Sequence, residues 1–305
     1  MTSISVVIPV HNEQESIKQL HEEILINLDK NFNQYEVVYV NDGSTDETAI
    51  VLNELRNARV ITLKKNRGQT KAMQIGIMVS KYEIVAFLDG DGQNDPADIH
   101  KLYLKLISSD IDAVCGWRKD RQDNFSKKFL SRGAAVIKNI LIPDGIHDSG
   151  CTLKVMNSDV AKSLNLRGEL HRFIPSLLVM QGYKVEEMIV NHRPRNFGVT
   201  KYNWKRVVKG YLDMLTLWFW GRYSSRPIHF FGVVSLGSIC LGVVFFIASL
   251  MSYLLLQGVF KNLLLLASFF SVMSGIQILL IGLIAEFFAN HLAGSNEDKF
   301  EERLG

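Results

Sequence analysis

The first two-thirds of the chain alternates short apolar runs with amphipathic stretches. Runs typical of buried strands lie at 4–10, 35–40, 59–63, 84–88 and 112–115, and helical patterns separate the first four. Strands that alternate with helices form parallel sheets covered on both faces. The pattern therefore predicts an α/β domain with a parallel, doubly wound sheet, which binds ligands beyond the carboxyl ends of its strands.

Polar clusters follow three of these strands. They are His11-Asn12-Glu13, Asn41-Asp42-Gly43-Ser44 and Asp89-Gly90-Asp91. Because the carboxyl ends of neighbouring parallel strands meet at one edge of a sheet, the three clusters are expected to converge on one crevice.

The pattern changes after Arg226. Residues 228–256 and 263–285 contain no Asp, Glu, Lys or Arg. Each run exceeds the roughly 20 residues needed to cross a hydrocarbon core about 30 Å thick. The short connector at 257–262 predicts a hairpin of two transmembrane helices. The alternative is a pair of buried helices in a soluble core.

The segment before the first span is amphipathic. Apolar side chains recur at helical spacing between Trp204 and Phe219, with Lys205, Arg206 and Lys209 on the other face. This arrangement favours a helix lying in the lipid headgroup region, and an ordinary core helix is the alternative. The predicted organisation is a large domain at 1–200, a juxtamembrane helix at 201–227, two spans at 228–290 and a tail at 291–305.

The net charge and the positions of the basic residues limit the possible binding partners and predict the membrane topology. The net charge is +3, and no basic tract interleaved with aromatic residues is found before the spans, so nucleic acid is not expected as a partner. The connector carries only Lys261, whereas six basic residues precede the first span: Lys201, Lys205, Arg206, Lys209, Arg222 and Arg226. The positive-inside rule therefore predicts that the large domain and both chain ends face the cytoplasm.

Asp89 and Asp91 project together from a strand end, with Gln93 two residues further on. Hard oxygen ligands of this kind suit Mg²⁺ or Mn²⁺, which complete their coordination with water and with the phosphate oxygens of a substrate. Asp42, at an earlier strand end, can accept a hydrogen bond from a base or a ribose. The sequence therefore suggests a metal and nucleotide site.

These motifs resemble those of glycosyltransferase family 2, whose fold is the GT-A nucleotide-sugar domain. The segments Val7–Glu13, 41–46, Asn66-Arg67-Gly68 and 89–93 occur in family order. A narrower similarity, to polyprenyl-phosphate glycosyltransferases, comes from 148–151, 172–175 and 195–201 followed by two spans. That group includes dolichyl-phosphate mannose synthases and undecaprenyl-phosphate glucosyl- and formamidoarabinosyltransferases.

The resemblance implies a role for each matching position. Asp148 is implied to orient the acceptor or act as a base, and Asn41 departs from the family's commoner double Asp. The resemblance assigns nucleotide binding to Pro9, Asn12, Glu13, Asp42 and Asp89. It assigns metal and diphosphate binding to Asp89, Asp91 and Gln93. Arg118 and Arg132 are implied to bind the lipid phosphate, and Arg195 and Lys201 to neutralise the phosphates of the donor. The implied catalytic set is Asp91, Asp148, Arg195 and Lys201.

The expected activity is inverting transfer of one sugar from a nucleotide diphosphate-sugar to a polyprenyl phosphate in the bacterial inner membrane. UDP and undecaprenyl phosphate are favoured, GDP-mannose is possible as donor, and a homo-oligomer is possible. The alternatives are a processive polysaccharide synthase, whose Gln-x-x-Arg-Trp motif is not found here, and a catalytically inactive membrane scaffold.

Overall fold

The computed structural model describes residues 2–119, 138, 141–194, 204–255 and 260–301. The chain divides into two compact units, Met1–Leu217 and Trp218–Gly305. In the first unit, the described residues form one seven-stranded sheet with the order β3-β2-β1-β4-β6-β5-β7. The strands are β1 (Ser3–Val10), β2 (Gln34–Asn41), β3 (Ala58–Thr62), β4 (Ile84–Phe87), β5 (Ala113–Trp117), β6 (Lys154–Asn157) and β7 (Val185–Ile189).

The sheet is mixed, which corrects the fully parallel sheet expected from the sequence. β1 pairs in parallel with both β2 and β4, and β5 pairs in parallel with β7. β6 lies between β4 and β5 and is antiparallel to both. β6 and β7 were not predicted from the sequence.

Helices cover both faces of the sheet because successive strand residues point to opposite sides. Val6 and Ile8 of β1 pack under α1 (Ile17–Asn31), α2 (Thr48–Glu54) and α4 (Ala97–Ser108). Val7 packs on the opposite face, under α3 (Gln69–Val79), α5 (Ser158–Ser163) and α6 (Ile174–Met180). A short 3₁₀ helix, Leu170–Phe173, precedes α6.

Helix α7 (Trp204–Tyr223) begins in the first unit and ends in the second. Met214 and Leu217 are buried, whereas Leu212 and Leu215 are exposed. The helix lies within the predicted range 201–227. Among its residues whose burial is described, the apolar face predicted from the sequence included the exposed Leu212 and Leu215 and left out the buried Met214 and Leu217.

The second unit contains α8 (Pro227–Leu255) and α9 (Phe260–Glu301). Within them, Pro227–Leu254 and Asn262–His291 are long and apolar enough to cross a membrane, by length and composition. The hydroxyls of Ser235 and Ser238 donate to the carbonyls of Gly275 and Ser271 at 2.7 and 2.8 Å, so the two helices pack closely. Helix α9 continues past the boundary predicted at 290.

Candidate active site

The carboxyl ends of β1, β2 and β4 meet at one edge of the sheet, because these strands are neighbours and run parallel. The polar turns at 11–13, 42–46 and 89–93 follow these three strands and therefore converge at that edge. This confirms the convergence predicted from the sequence.

Asn12 ties the turn after β1 to the turn after β2. Its φ is 58°, and its Oδ1 accepts the backbone N–H of Thr45 at 2.8 Å. Its own N–H donates to Ser44 Oγ at 3.0 Å, and the N–H of Glu13 donates to Thr48 Oγ1 at 2.9 Å. These hydrogen bonds join the turn after β1 to the turn after β2. Asn12 and Glu13, which the resemblance assigned to nucleotide binding, therefore also hold the two turns together.

Pro9 and Asp42 lie deeper in the same edge. Pro9 is buried in β1 beside Val40. The two carboxylate oxygens of Asp42 accept the backbone N–H groups of Arg67 and Gly68 at 2.7 and 2.8 Å. Asp42 therefore holds the turn from which α3 starts, a contact that the sequence did not indicate.

The turn after β4 presents the two carboxylates expected to bind metal. Asp89 and Asp91 are both half-buried. Asp89 Oδ1 accepts from Gln69 Nε2 at 2.7 Å, and Asp91 Oδ1 accepts the backbone N–H of Gln93 at 3.1 Å. Ser16 Oγ donates to the carbonyl of Gly90 at 2.7 Å, which fixes the turn against α1.

This donor set fits a hard divalent cation. Carboxylate and amide oxygens are the ligands of Mg²⁺ and Mn²⁺, and a cation bound by few protein groups takes its remaining ligands from water and substrate phosphates. In the part of the chain that the structure describes, no group of three or more His, Cys, Asp or Glu side chains could hold a metal. A cation at Asp89 and Asp91 would thus depend on a substrate diphosphate for part of its coordination.

Arg193 secures the chain that follows Gln93. Its backbone N–H donates to the Gln93 carbonyl at 2.8 Å, and its guanidinium contacts Glu23 at 2.5 Å and Asp95 at 3.0 Å. Burial opposes the charge of Arg193, but the hydrogen bond and charge of Glu23 and the charge of Asp95 raise its pKa above the usual value. The sequence did not single out Arg193, because its partners are far from it along the chain.

A second pair of predicted residues meets at the end of β5. Arg118 donates from Nε and Nη2 to Asp148 Oδ2 and Oδ1, at 2.7 and 2.9 Å. Its backbone N–H also donates to Asp148 Oδ2, at 3.2 Å. The two residues, which the sequence assigned to separate roles, form one bidentate ion pair.

This ion pair is nearly buried, with exposed side-chain fractions of 12% for Arg118 and 10% for Asp148. Burial lowers the pKa of Arg118, but the hydrogen bonds and charge of Asp148 outweigh it and hold that pKa above its ordinary value. Gly150 borders the pair, since a Cβ there would lie 3.4 Å from Arg118 Nη2. The charge of Asp89 also acts on Arg118. Arg118 is thus a permanent cation in the electrostatic range of the turn after β4.

Three residues of the predicted site, Arg132, Arg195 and Lys201, lie outside the described residues. Their roles stay predictions from the sequence.

The fold and the converging turns are those of a glycosyltransferase domain, and the chain belongs to glycosyl transferase family 2, whose family model matches residues 5–164. The chain is 34% identical to the dodecaprenyl-phosphate galacturonate synthase of Rhizobium johnstonii over 295 residues, which cover 94% of this chain and 87% of that protein. It is 30% identical to the undecaprenyl-phosphate 4-deoxy-4-formamido-L-arabinose transferase of Edwardsiella ictaluri, over 93% of this chain and 88% of the relative.

Solved structures agree on the fold. Glucosyl-3-phosphoglycerate synthase of Mycobacterium tuberculosis in complex with phosphoglyceric acid superposes with a TM-score of 0.57 at 17% identity. The match covers 72% of this chain and 80% of that chain. The same enzyme in complex with Mn²⁺, UDP and glucosyl-3-phosphoglycerate superposes with a TM-score of 0.56. The large domain therefore has the GT-A fold.

Proposed function

We propose that this chain transfers a single sugar from a nucleotide diphosphate-sugar to a polyprenyl phosphate at the cytoplasmic face of a bacterial inner membrane. The observation that carries the proposal is the similarity to two polyprenyl-phosphate sugar transferases over 93–94% of the chain, a length that takes in both apolar helices. A soluble acceptor would not require such helices, whereas a lipid acceptor lies in the membrane.

In the proposed mechanism, the edge formed by the turns after β1, β2 and β4 binds the donor. Asp89, Asp91 and Gln93 would hold Mg²⁺ or Mn²⁺, which would neutralise charge on the departing nucleoside diphosphate. Complexes of the Mycobacterium tuberculosis enzyme with Mn²⁺ and UDP-glucose, and with Mg²⁺ and UDP, support a divalent cation and a UDP-linked donor. Asn12 holds the turns after β1 and β2 together, and Asp42 holds the turn from which α3 starts, so the donor site is already in place before the donor binds.

The acceptor is proposed to bind at Arg118, together with Arg132. A bidentate contact with Asp148 leaves N–H groups on the outer edge of the Arg118 guanidinium, and such groups match phosphate oxygens. A phosphate oxygen of the lipid attacks the anomeric carbon, and the bond to the nucleoside diphosphate breaks. In-line displacement inverts the anomeric centre.

Asp148 is proposed to orient Arg118 rather than to act as a general base. Its two carboxylate oxygens accept three N–H groups of Arg118, so both oxygens are already engaged in holding the guanidinium. A lipid phosphate is already an anion near neutral pH, so the reaction does not demand a strong base. In this proposal, catalysis comes from positioning and from neutralisation of the departing diphosphate by Arg195, by Lys201 and by the cation that Asp91 would hold.

A single assay tests the proposal. The purified chain is incubated with Mg²⁺ or Mn²⁺, undecaprenyl phosphate and a panel of UDP- and GDP-sugars that includes uronic acid and formamidopentose donors, and the lipids are identified by mass spectrometry. The expected product is a polyprenyl phosphate carrying one sugar. A polymer would support the processive alternative, and failure to bind nucleotide and metal would support an inactive scaffold.

The proposed orientation is tested separately in intact cells. Single cysteines placed in the tail at 296–305 are treated with a thiol reagent that does not cross the inner membrane. With both chain ends in the cytoplasm, these cysteines should react only after the cells are lysed. Labelling of the tail in intact cells would contradict the orientation.

A further inference from the structure

Glu187, in β7, holds the turn that carries Asp148. Its side chain is 8% exposed, and its two carboxylate oxygens accept the backbone N–H groups of His147 and Asp148 at 2.8 and 2.9 Å. The His147 ring lies against the same carboxylate, with Nδ1 2.8 Å from Oε2. Because each oxygen accepts a different amide of the turn, the carboxylate fixes both the position and the direction of the turn.

The turn is also fixed to the end of β5. The rings of Trp117 and His147 stack with centroids 4.5 Å apart and an interplanar angle of 14°. Asp148 then holds Arg118, which directly follows Trp117, through the three hydrogen bonds described above. A continuous set of contacts therefore connects Glu187, through the turn, to the Arg118 guanidinium.

We propose that Glu187 is a positioning residue for the acceptor-phosphate site: it orients Asp148, and through Asp148 it orients Arg118 toward the phosphate of the lipid. This inference rests on the proposed function, because it takes Arg118 to be a ligand of that phosphate. A carboxylate suits the task, since it offers acceptors to both amides. A glutamine would place an NH₂ group against one of the two N–H donors.

The variant that tests the inference is Glu187→Gln in the full-length chain, with Glu186→Gln as the matched control. Glu186 is the preceding residue of β7, but its side chain is 51% exposed and pairs with Lys105 at 2.9 Å. We expect Glu187→Gln to raise the KM for undecaprenyl phosphate about tenfold and to leave the KM for the donor unchanged. Glu186→Gln should change neither.

A double-mutant cycle separates positioning from general support of the fold. In a chain that already carries Arg118→Ala, Glu187→Gln should change the acceptor KM less than about twofold, because no guanidinium remains to be oriented. Equal losses for donor and acceptor, or fully additive effects of the two substitutions, would overturn the inference.

Hydrogen–deuterium exchange provides a readout that does not depend on activity. The amides of His147 and Asp148 should exchange faster in Glu187→Gln than in the wild type, and Glu186→Gln should leave them unchanged. Unchanged exchange in Glu187→Gln would overturn the inference. If the exchange result holds but the wild type glycosylates no lipid phosphate, the proposed function is wrong, whereas the link from Glu187 to the turn stands.

Discussion

Asp91 lies in the half-buried turn after β4, where its Oδ1 accepts the backbone N–H of Gln93 at 3.1 Å. We expect Asp91→Ala to lower kcat by about a hundredfold or more, because it removes a proposed metal ligand, and to leave thermal stability nearly unchanged. Transfer should also stop with EDTA and return with Mg²⁺ or Mn²⁺. The control is Asp110→Ala, which removes an exposed carboxylate paired with Lys184. Normal turnover by Asp91→Ala, or full activity after chelation, would contradict the metal assignment.

Arg118 is expected to act through geometry as well as charge. Arg118→Lys keeps the charge but loses the planar fork that contacts Asp148 and matches a phosphate, so it should weaken acceptor use nearly as much as Arg118→Ala. The expected loss in acceptor kcat/KM is about 10- to 100-fold, with nucleotide affinity unchanged. It can be measured by varying undecaprenyl phosphate at saturating donor.

The control for Arg118 is Lys119→Ala, which removes the next, exposed charge of the same segment. Lys119 should matter little if a specific site binds the phosphate. Equal losses for both positions, reproduced by added salt, would instead indicate a diffuse attraction to the anionic membrane surface.

The sequence showed which polar residues belong to the candidate site, but not which residues they contact. Asp42 and Asp148 stand out as polar residues in motifs, and the structure places each where its carboxylate accepts several N–H groups. Their partners are 25–30 residues away along the chain, so only the folded sheet brings them together. Glu187 gave no signal for the same reason, since the turn it holds lies 39–40 residues away.

At the level of elements, the strands of the parallel half were predictable because each is a short apolar run bounded by polar turns. β6 was not, because it starts with Lys154 and only Val155 and Met156 of its residues are apolar. That side chain is buried, and its ammonium group donates to the carbonyl of Cys151. Because its ammonium group is hydrogen-bonded to a backbone carbonyl, the lysine can be buried in the strand, although it interrupts the apolar pattern of the sequence.

Helix α3 packs tightly on β1 at Gly76, and this contact yields a prediction about stability. A Cβ at Gly76 would lie 2.2 Å from Val7 Cγ1 in the core. Gly76→Ala should therefore destabilise the full-length protein by about 1–3 kcal/mol, although alanine favours helices, because overpacking outweighs propensity. Thermal unfolding in detergent measures the change. Gly210→Ala, in α7, is the control: among the described residues, no side chain or neighbouring element lies within 4 Å of the added Cβ, so stability should be unchanged or slightly higher. Equal effects at the two glycines would contradict the packing argument.

On the scale of the whole molecule, length and composition were sufficient to predict two membrane spans. The predicted runs at 228–256 and 263–285 fall within or close to Pro227–Leu254 and Asn262–His291. The sequence did not reveal Glu286 as a contact of the first span, yet its Oε2 accepts the N–H of Ile228 at 3.2 Å. A carboxylate at the start of α8 caps a helix end whose N–H groups have no intrahelical partner.

Substitutions at two glycines of the second unit distinguish packing between α8 and α9 from packing between copies of the chain. A Cβ at Gly275 would lie 2.6 Å from Ile239 Cγ1 and 3.0 Å from the Ser235 carbonyl, so this glycine lets α8 and α9 approach closely. Gly237 is exposed on α8, and in the part of the chain that the structure describes no neighbouring element lies within 4 Å of an added Cβ. We expect Gly275→Leu to reduce the yield and melting temperature of the protein in detergent, because the helices must separate to admit the side chain. Gly237→Leu should be tolerated, because that face of α8 is exposed. If Gly237→Leu is the damaging change, and it also alters the mass of the particle measured by light scattering, the exposed face of α8 is an interface between copies of the chain.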